Sequence, residues 1–203
     1  MYFAKTPKAA QRLFPSLIWK IKCSRKEVFI TFDDGPTPEF TQWILNLLNS
    51  LEIKSTFFCV GEKAKRYPNL ISEILKKGHS IGNHTYSHKN GWFSTVDSYL
   101  KEIEKCSDFV NKTNLFRPPY GKIYPWQIKK VLENYKIIMW DILSFDFKKN
   151  QNSEKFQKNI LDNIERGSII VFHDNKNSEK ILKENLEDVL RKIRKKGFSF
   201  STL

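Results

Sequence analysis

The stretch EVFITFDDGP, running from Glu27 to Pro36, decides how this chain is read. Val28, Phe29, Ile30, Thr31 and Phe32 form an apolar run of β-branched and aromatic residues, the composition of a strand. The run ends in two adjacent carboxylates, Asp33 and Asp34, and Gly35-Pro36 then turns the chain away. Neighbours on an extended chain point to opposite sides, so the two acids need not do the same job. One can bind a metal while the other faces a substrate.

Working outward, Phe40, Ile44, Leu47, Leu48 and Leu51 recur at helical spacing and predict a helix over 38–51. A second strand is expected at 55–60, and the alternation then repeats. Further strands are predicted at 80–83, 115–117, 136–141, 168–172 and 198–201, and helices at 62–77, 95–111, 125–133, 153–165 and 178–195. Several helices are followed by glycine, at Gly78, Gly167 and Gly197. Such alternation implies an α/β fold with a mainly parallel sheet and covering helices. About seven strands in one domain suggest a closed or nearly closed barrel, with its chemistry at the C-terminal ends of the strands. Asp33, Asp34, His84, Arg117, Asp141 and His173 each fall at or just after such an end.

Four further motifs carry chemistry. In His84-Thr85-Tyr86-Ser87-His88, two histidines four apart, on a helical turn or a tight loop, can chelate one ion. With Asp34 they make a two-histidine, one-carboxylate set that leaves coordination positions open. In Phe116-Arg117-Pro118-Pro119-Tyr120-Gly121, two prolines stiffen the chain. There Arg117 can hold a neighbouring carboxylate, and the Tyr120 backbone N–H can face an oxyanion. In the segment 140–147, Asp141 and Asp146 sit among aromatic and aliphatic residues, where burial requires a partner. Finally, the apolar run 169–172 delivers His173, a candidate proton donor, followed by Asp174.

Composition narrows the classes. At 203 residues the chain fits one domain with a real core. Low-complexity segments are missing, which argues against intrinsic disorder. Three widely spaced cysteines, Cys23, Cys59 and Cys106, form no CxxC pair, so reduced thiols are expected rather than a disulfide framework. No apolar run is long enough to cross a bilayer, and the first 25 residues read as a basic and apolar arm without a signal-peptide pattern. A cytoplasmic location, or a peripheral one at a membrane, is therefore expected. The catalytic domain is read as 26–203. A net charge of +13 favours peripheral contact with an anionic surface but, being diffuse, no specific nucleic acid. Trp92, Phe93 and Trp126 can stack on sugar rings, although core packing or ordinary surface is the commoner role for such residues.

With these residues in view, the chain resembles the polysaccharide deacetylase family, the NodB homology domain of carbohydrate esterase family 4. TFDDG, HTYSH, RPPYG, the segment ending SFDF, and VFHD occur in that order. The resemblance implies a distorted (β/α) barrel and removal of N-acetyl groups from amino sugars of an N-acetylated glycan, releasing acetate. It also implies one divalent metal on Asp34, His84 and His88, usually Zn2+, with Co2+, Ni2+ or Mn2+ as alternatives. Asp33 matches the catalytic base, His173 the acid and Arg117 the residue that positions Asp33. Tyr120, Pro119, Phe147 and Val171 match the substrate pocket. The chain departs from many relatives in carrying Leu143 where an aspartate supports the catalytic histidine. Asp146, Asp141 or Asp174 is then left for that role. Two other readings use the same residues: a metal hydrolase of a non-sugar amide or ester, and a non-catalytic module that binds glycan or polyanion.

Overall fold

A computed structural model describes residues 3–203. The chain runs α1 (Lys8–Leu13), β1 (Glu27–Asp33), α2 (Pro38–Ser50), β2 (Thr56–Cys59), α3 (Gly61–Arg66), α4 (Pro68–Lys76), β3 (Ser80–Asn83), α5 (Val96–Ser107), β4 (Leu115–Phe116), α6 (Pro125–Val131), β5 (Lys136–Ile137), β6 (Ile142–Leu143), α7 (Ser153–Leu161), β7 (Ile169–His173), α8 (Lys176–Lys195) and β8 (Ser199–Ser201). The strands pair in the order β5-β4-β3-β2-β1-β7-β6, all parallel, and β8 joins the first half of β1. The result is a curled half-barrel of parallel strands with helices outside, a distorted (β/α) barrel.

The strand period of two sorts the β1 side chains into two jobs. Val28, Ile30 and Phe32 are fully buried in the layer that also holds Leu48 of α2 and Leu186 of α8. Burying side chains of this size stabilises the fold by about 1.5–3 kcal/mol each. Phe29 points the other way and clusters with Phe58, Leu115, Ile138 and Ile169 inside the curl. Thr31 and Asp33 share that inner face, since both meet the side chain of Arg117.

β5 and β6 stand at the two ends of the strand order, and the N-terminal segment lies against both. Ile18 pairs in parallel with Ile138, and Lys5 pairs antiparallel with Ile142. The bonds are regular: Met139 N–H donates to the Ile18 carbonyl (2.8 Å) and Leu143 N–H to the Ala4 carbonyl (2.9 Å). The segment thus satisfies edge groups that would otherwise need water.

The elements differ from the sequence reading in places, each for a local reason. The helix expected over 62–77 is two helices, broken at Tyr67, because a residue before proline is pushed out of the α region. The strand expected over 136–141 ends at Ile137, beyond which the chain pairs with the N-terminal segment, and β6 forms separately. Of the two forms left open for HTYSH, the chain takes the tight loop, with Thr85 and His88 both at positive φ (61° and 55°). α1 was not anticipated. All three cysteines are free, and Cys59 and Cys106 are buried. Among the described residues no helix is long and apolar enough to cross a membrane.

Candidate active site

Five parallel strands deliver the chemistry to one end of the sheet. Asp33 ends β1, and Asp34 follows it in the left-handed region (φ 76°). That twist lets consecutive carboxylates serve different neighbours. At the next residue, Gly35, a Cβ would collide with the Asp174 side chain, so only glycine allows this close approach.

His84 follows β3 and is held by the loop around it. Asn83 at the strand end donates to the Ile103 carbonyl (2.7 Å) and accepts from the Thr85 N–H (2.9 Å). His84 Nδ1 lies 2.8 Å from the Arg117 carbonyl, which fixes the proton on Nδ1 and leaves the Nε2 lone pair for the cleft. His84 Nε2 is 3.5 Å and His88 Nε2 3.0 Å from Asp34 Oδ1. The three candidate ligand atoms all lie within 4.8 Å of one another, close enough to share one ion. Two neutral imidazoles and one carboxylate suit a divalent transition metal with open positions. Burial opposes charge on Asp34. In the metal-free site, where Nε2 of His84 and of His88 carries a proton in place of holding an ion, the hydrogen bonds from these rings, with His173 nearby, outweigh it and hold the carboxyl well below the usual carboxylate range.

Arg117 follows β4 and is fully buried. Its guanidinium donates to Asp33 Oδ1 (2.6 Å), Thr31 Oγ1 (2.7 Å), the Met139 carbonyl (3.0 Å) and the Ile138 carbonyl (3.2 Å). Its face lies 4.1 Å from the centre of the Phe58 ring. Asp33 is therefore held by one oxygen, against a guanidinium that makes three further hydrogen bonds, which helps make a buried ion pair tolerable.

His173 ends β7. Asp146 Oδ1 is 2.7 Å from His173 Nδ1, and Asp146 Oδ2 accepts the His173 backbone N–H at 2.6 Å. The edge of the Phe147 ring packs on the imidazole at 4.9 Å. Burial alone would depress the His173 pKa. The Asp146 carboxylate, helped by Asp34 and Asp33, pushes it up instead, to about 9. The other two acids are engaged elsewhere. Asp141 accepts from Lys5 (2.7 Å) and Ser168 (2.5 Å), and Asp174 from Thr41 (2.5 Å).

These groups line one cleft of about 340 Å³. Asp33, Asp34, His84, His88, Tyr120 and His173 supply its polar wall, and Trp140, Leu143, Phe147 and Val171 its apolar one. Pro118 lines the cleft, whereas Pro119, expected there from the resemblance, is buried and does not line it. Two features were not visible in the sequence. The Tyr120 hydroxyl sits 3.1 Å from His88 Nδ1, and Asn175 donates to Asp34 Oδ2 at 2.7 Å. Trp92, Phe93 and Trp126 are exposed, and Trp126 stacks on Tyr124 at 4.5 Å. A larger groove of about 1450 Å³ lies under the N-terminal segment, away from this cleft. Its one carboxylate, Glu165, is already paired with Lys5 (2.6 Å) and Lys20 (3.1 Å).

Comparison with known proteins places this fold in a family. The family model described as polysaccharide deacetylase matches residues 20–140. A peptidoglycan-N-acetylglucosamine deacetylase of Bacillus cereus is 36% identical over 187 residues, covering 89% of this chain and 68% of the relative. A second B. cereus protein of that name is 32% identical over 192 residues, covering 91% and 90%. The crystal structure of the Bc1960 peptidoglycan N-acetylglucosamine deacetylase, in complex with 4-naphthalen-1-yl-N-oxidanyl-benzamide, superposes with a TM-score of 0.89 at 33% identity, covering 98% of this chain and 95% of that one. The chain belongs to the polysaccharide deacetylase family, hydrolases that act on linear amide bonds.

Proposed function

We propose that this protein is a metal-dependent deacetylase of N-acetylglucosamine-type residues in a peptidoglycan-like polymer. The observation that carries this reading is that the Asp34, His84 and His88 ligand atoms open into the cleft that Asp33 and His173 also line. The B. cereus relatives are named for that substrate. The ligand of the related crystal structure is a hydroxamic acid, a group that chelates divalent metals. A mixed histidine and carboxylate set accepts several metals, with Zn2+ the foremost candidate. When bound, the ion would polarise the acetamide carbonyl and acidify a water molecule.

The rest of the chemistry falls to the protein. Asp33, held through one oxygen by Arg117, takes the proton from the attacking water with the other. The water oxygen bonds to the carbonyl carbon. The Tyr120 N–H stabilises the charge that develops on the carbonyl oxygen. His173, with Nδ1 tied to Asp146, gives a proton from Nε2 to the sugar nitrogen as the carbon–nitrogen bond breaks, and acetate leaves. Leu143 and Val171 offer the acetyl methyl group an apolar seat. Exposed Trp92 follows His88 in the chain and exposed Trp126 opens α6, five residues beyond Gly121, where ring faces suit a sugar chain. The net charge of +13 favours work beside anionic material.

The deciding assay is acetate release from N-acetylglucosamine oligomers and peptidoglycan, compared with small amides and esters, for metal-loaded and chelated protein. Release from the glycans alone, abolished by chelation and restored by Zn2+, is expected. A metal-loaded protein that frees no acetate from any glycan would overturn the proposal.

Protonation of His173 has its own test. In metal-free protein, its NMR titration should give a pKa near 9, and Asp146→Asn should lower it by ~1 unit or more as burial loses its main opponent. The folded value lies above the unfolded 6.5, so the associated stability is complete below pH 6.5 and fades as pH rises through about 9. An unmoved titration in Asp146→Asn would refute the pairing.

A further inference from the structure

Asn175 precedes α8 and uses both ends of its amide. Its Oδ1 accepts from the Asn177 N–H (3.0 Å), the Ser178 N–H (3.1 Å) and the Ser178 hydroxyl (3.3 Å), capping the helix. Its Nδ2 donates to Asp34 Oδ2 at 2.7 Å. The cap settles which way the amide faces. Only the oxygen can accept the helix N–H groups, so the NH₂ must point at Asp34. α8 spans Lys176–Lys195, and Ile181, Leu182, Leu186, Val189, Leu190 and Ile193 bury its inner face in the core. The donor therefore stands on a rigid mount.

We infer that Asn175 is a positioning residue that commits Asp34 Oδ2 to a hydrogen bond and leaves Oδ1 as the single oxygen facing His84 and His88. The inference rests on the metal reading above. Asp34 Oδ1 lies 3.5 and 3.0 Å from the two imidazoles, while Oδ2 is occupied by Asn175. A carboxylate held through its outer oxygen cannot swing to grip an ion with both. Coordination positions thus stay open for water and substrate. The cap of the longest helix and the carboxylate of the candidate metal site are joined by one side chain.

The test separates capping from positioning. Serine caps a helix as well as asparagine but is too short to reach Asp34. Metal-free wild type and Asn175→Ser are titrated with Zn2+ in competition with a chromophoric chelator, and their thermal unfolding is compared. The expected result is a Kd for Zn2+ raised about 10-fold or more, with the melting temperature of the metal-free protein within about 2 °C of wild type. Equal Zn2+ affinity in the two proteins overturns the inference. A wild type that binds no Zn2+ instead overturns the metal reading itself, which keeps the two failures apart. If Asn175→Ser folds poorly, Asn175→Gly, also acceptable at a helix cap and without a side-chain donor, gives the same comparison.

Discussion

Asp33→Asn is expected to lower acetate release by about 10²–10⁴-fold while one divalent metal remains bound. The two adjacent acids divide their work: Asp34 Oδ1 faces both imidazoles, whereas Asp33 Oδ1 faces Arg117. Asparagine matches aspartate in shape and keeps an oxygen for the guanidinium at 2.6 Å, but an amide cannot take a proton from water. Loss of the general base without loss of the metal is thus the predicted phenotype. The buried Arg117 then lacks an anionic partner, so rates are compared well below the unfolding temperature. Metal content by elemental analysis and acetate release by enzymatic assay check both halves. A rate within 10-fold of wild type at equal metal load would remove Asp33 from the base role. Lost metal would instead make Asp33 a ligand.

Much of this site was legible because the fold gathers its motifs by a simple rule. In a parallel barrel every strand ends at the same face, so residues just after strands converge however far apart they lie in sequence. Asp33, Asp34, His84, Arg117 and His173 all obey it. The support for His173 was not legible. Asp141, Asp146 and Asp174 are each acids beside apolar runs, and what distinguishes them is their partners: Lys5 and Ser168, His173, and Thr41 respectively. Each partner except that of Asp146 lies on a distant segment or carries no motif. Asn175 was invisible for the same reason. It reads as an ordinary helix cap until the fold brings it to Asp34, 141 positions earlier in the chain. The N-terminal segment read as a basic and apolar arm, and no pattern in it announces that Ile18 and Ala4 bond to residues around the sheet's two ends.

Arg117→Met should destabilise the metal-free protein by about 3–5 kcal/mol, the cost of breaking a buried pair by removing one partner. Arg117 is the largest fully buried side chain and bonds to groups from two sides of the curl. Thr31 and Asp33 lie on β1, and the carbonyls of Ile138 and Met139 lie beyond β5. Methionine fills similar space but leaves the Asp33 carboxylate and two buried carbonyls without donors, each with its own desolvation cost. Since domains are stable by only about 5–15 kcal/mol, the loss is a large fraction of the total. Urea unfolding measures it, and Arg117→Lys, which keeps the charge but not the planar fork, should fall between. The double variant Asp33→Asn/Arg117→Met gives the sharper check. Once Met stands at 117, neutralising Asp33 removes an unpaired buried charge and should recover stability, although the same change costs stability in wild type. That reversal of sign is what a double-mutant cycle reports as coupling between contacting residues. Additive losses, or an Arg117→Met protein within about 1 kcal/mol of wild type, would mean that Asp33 does not depend on Arg117 for its place, and the positioning of the proposed base would need another source.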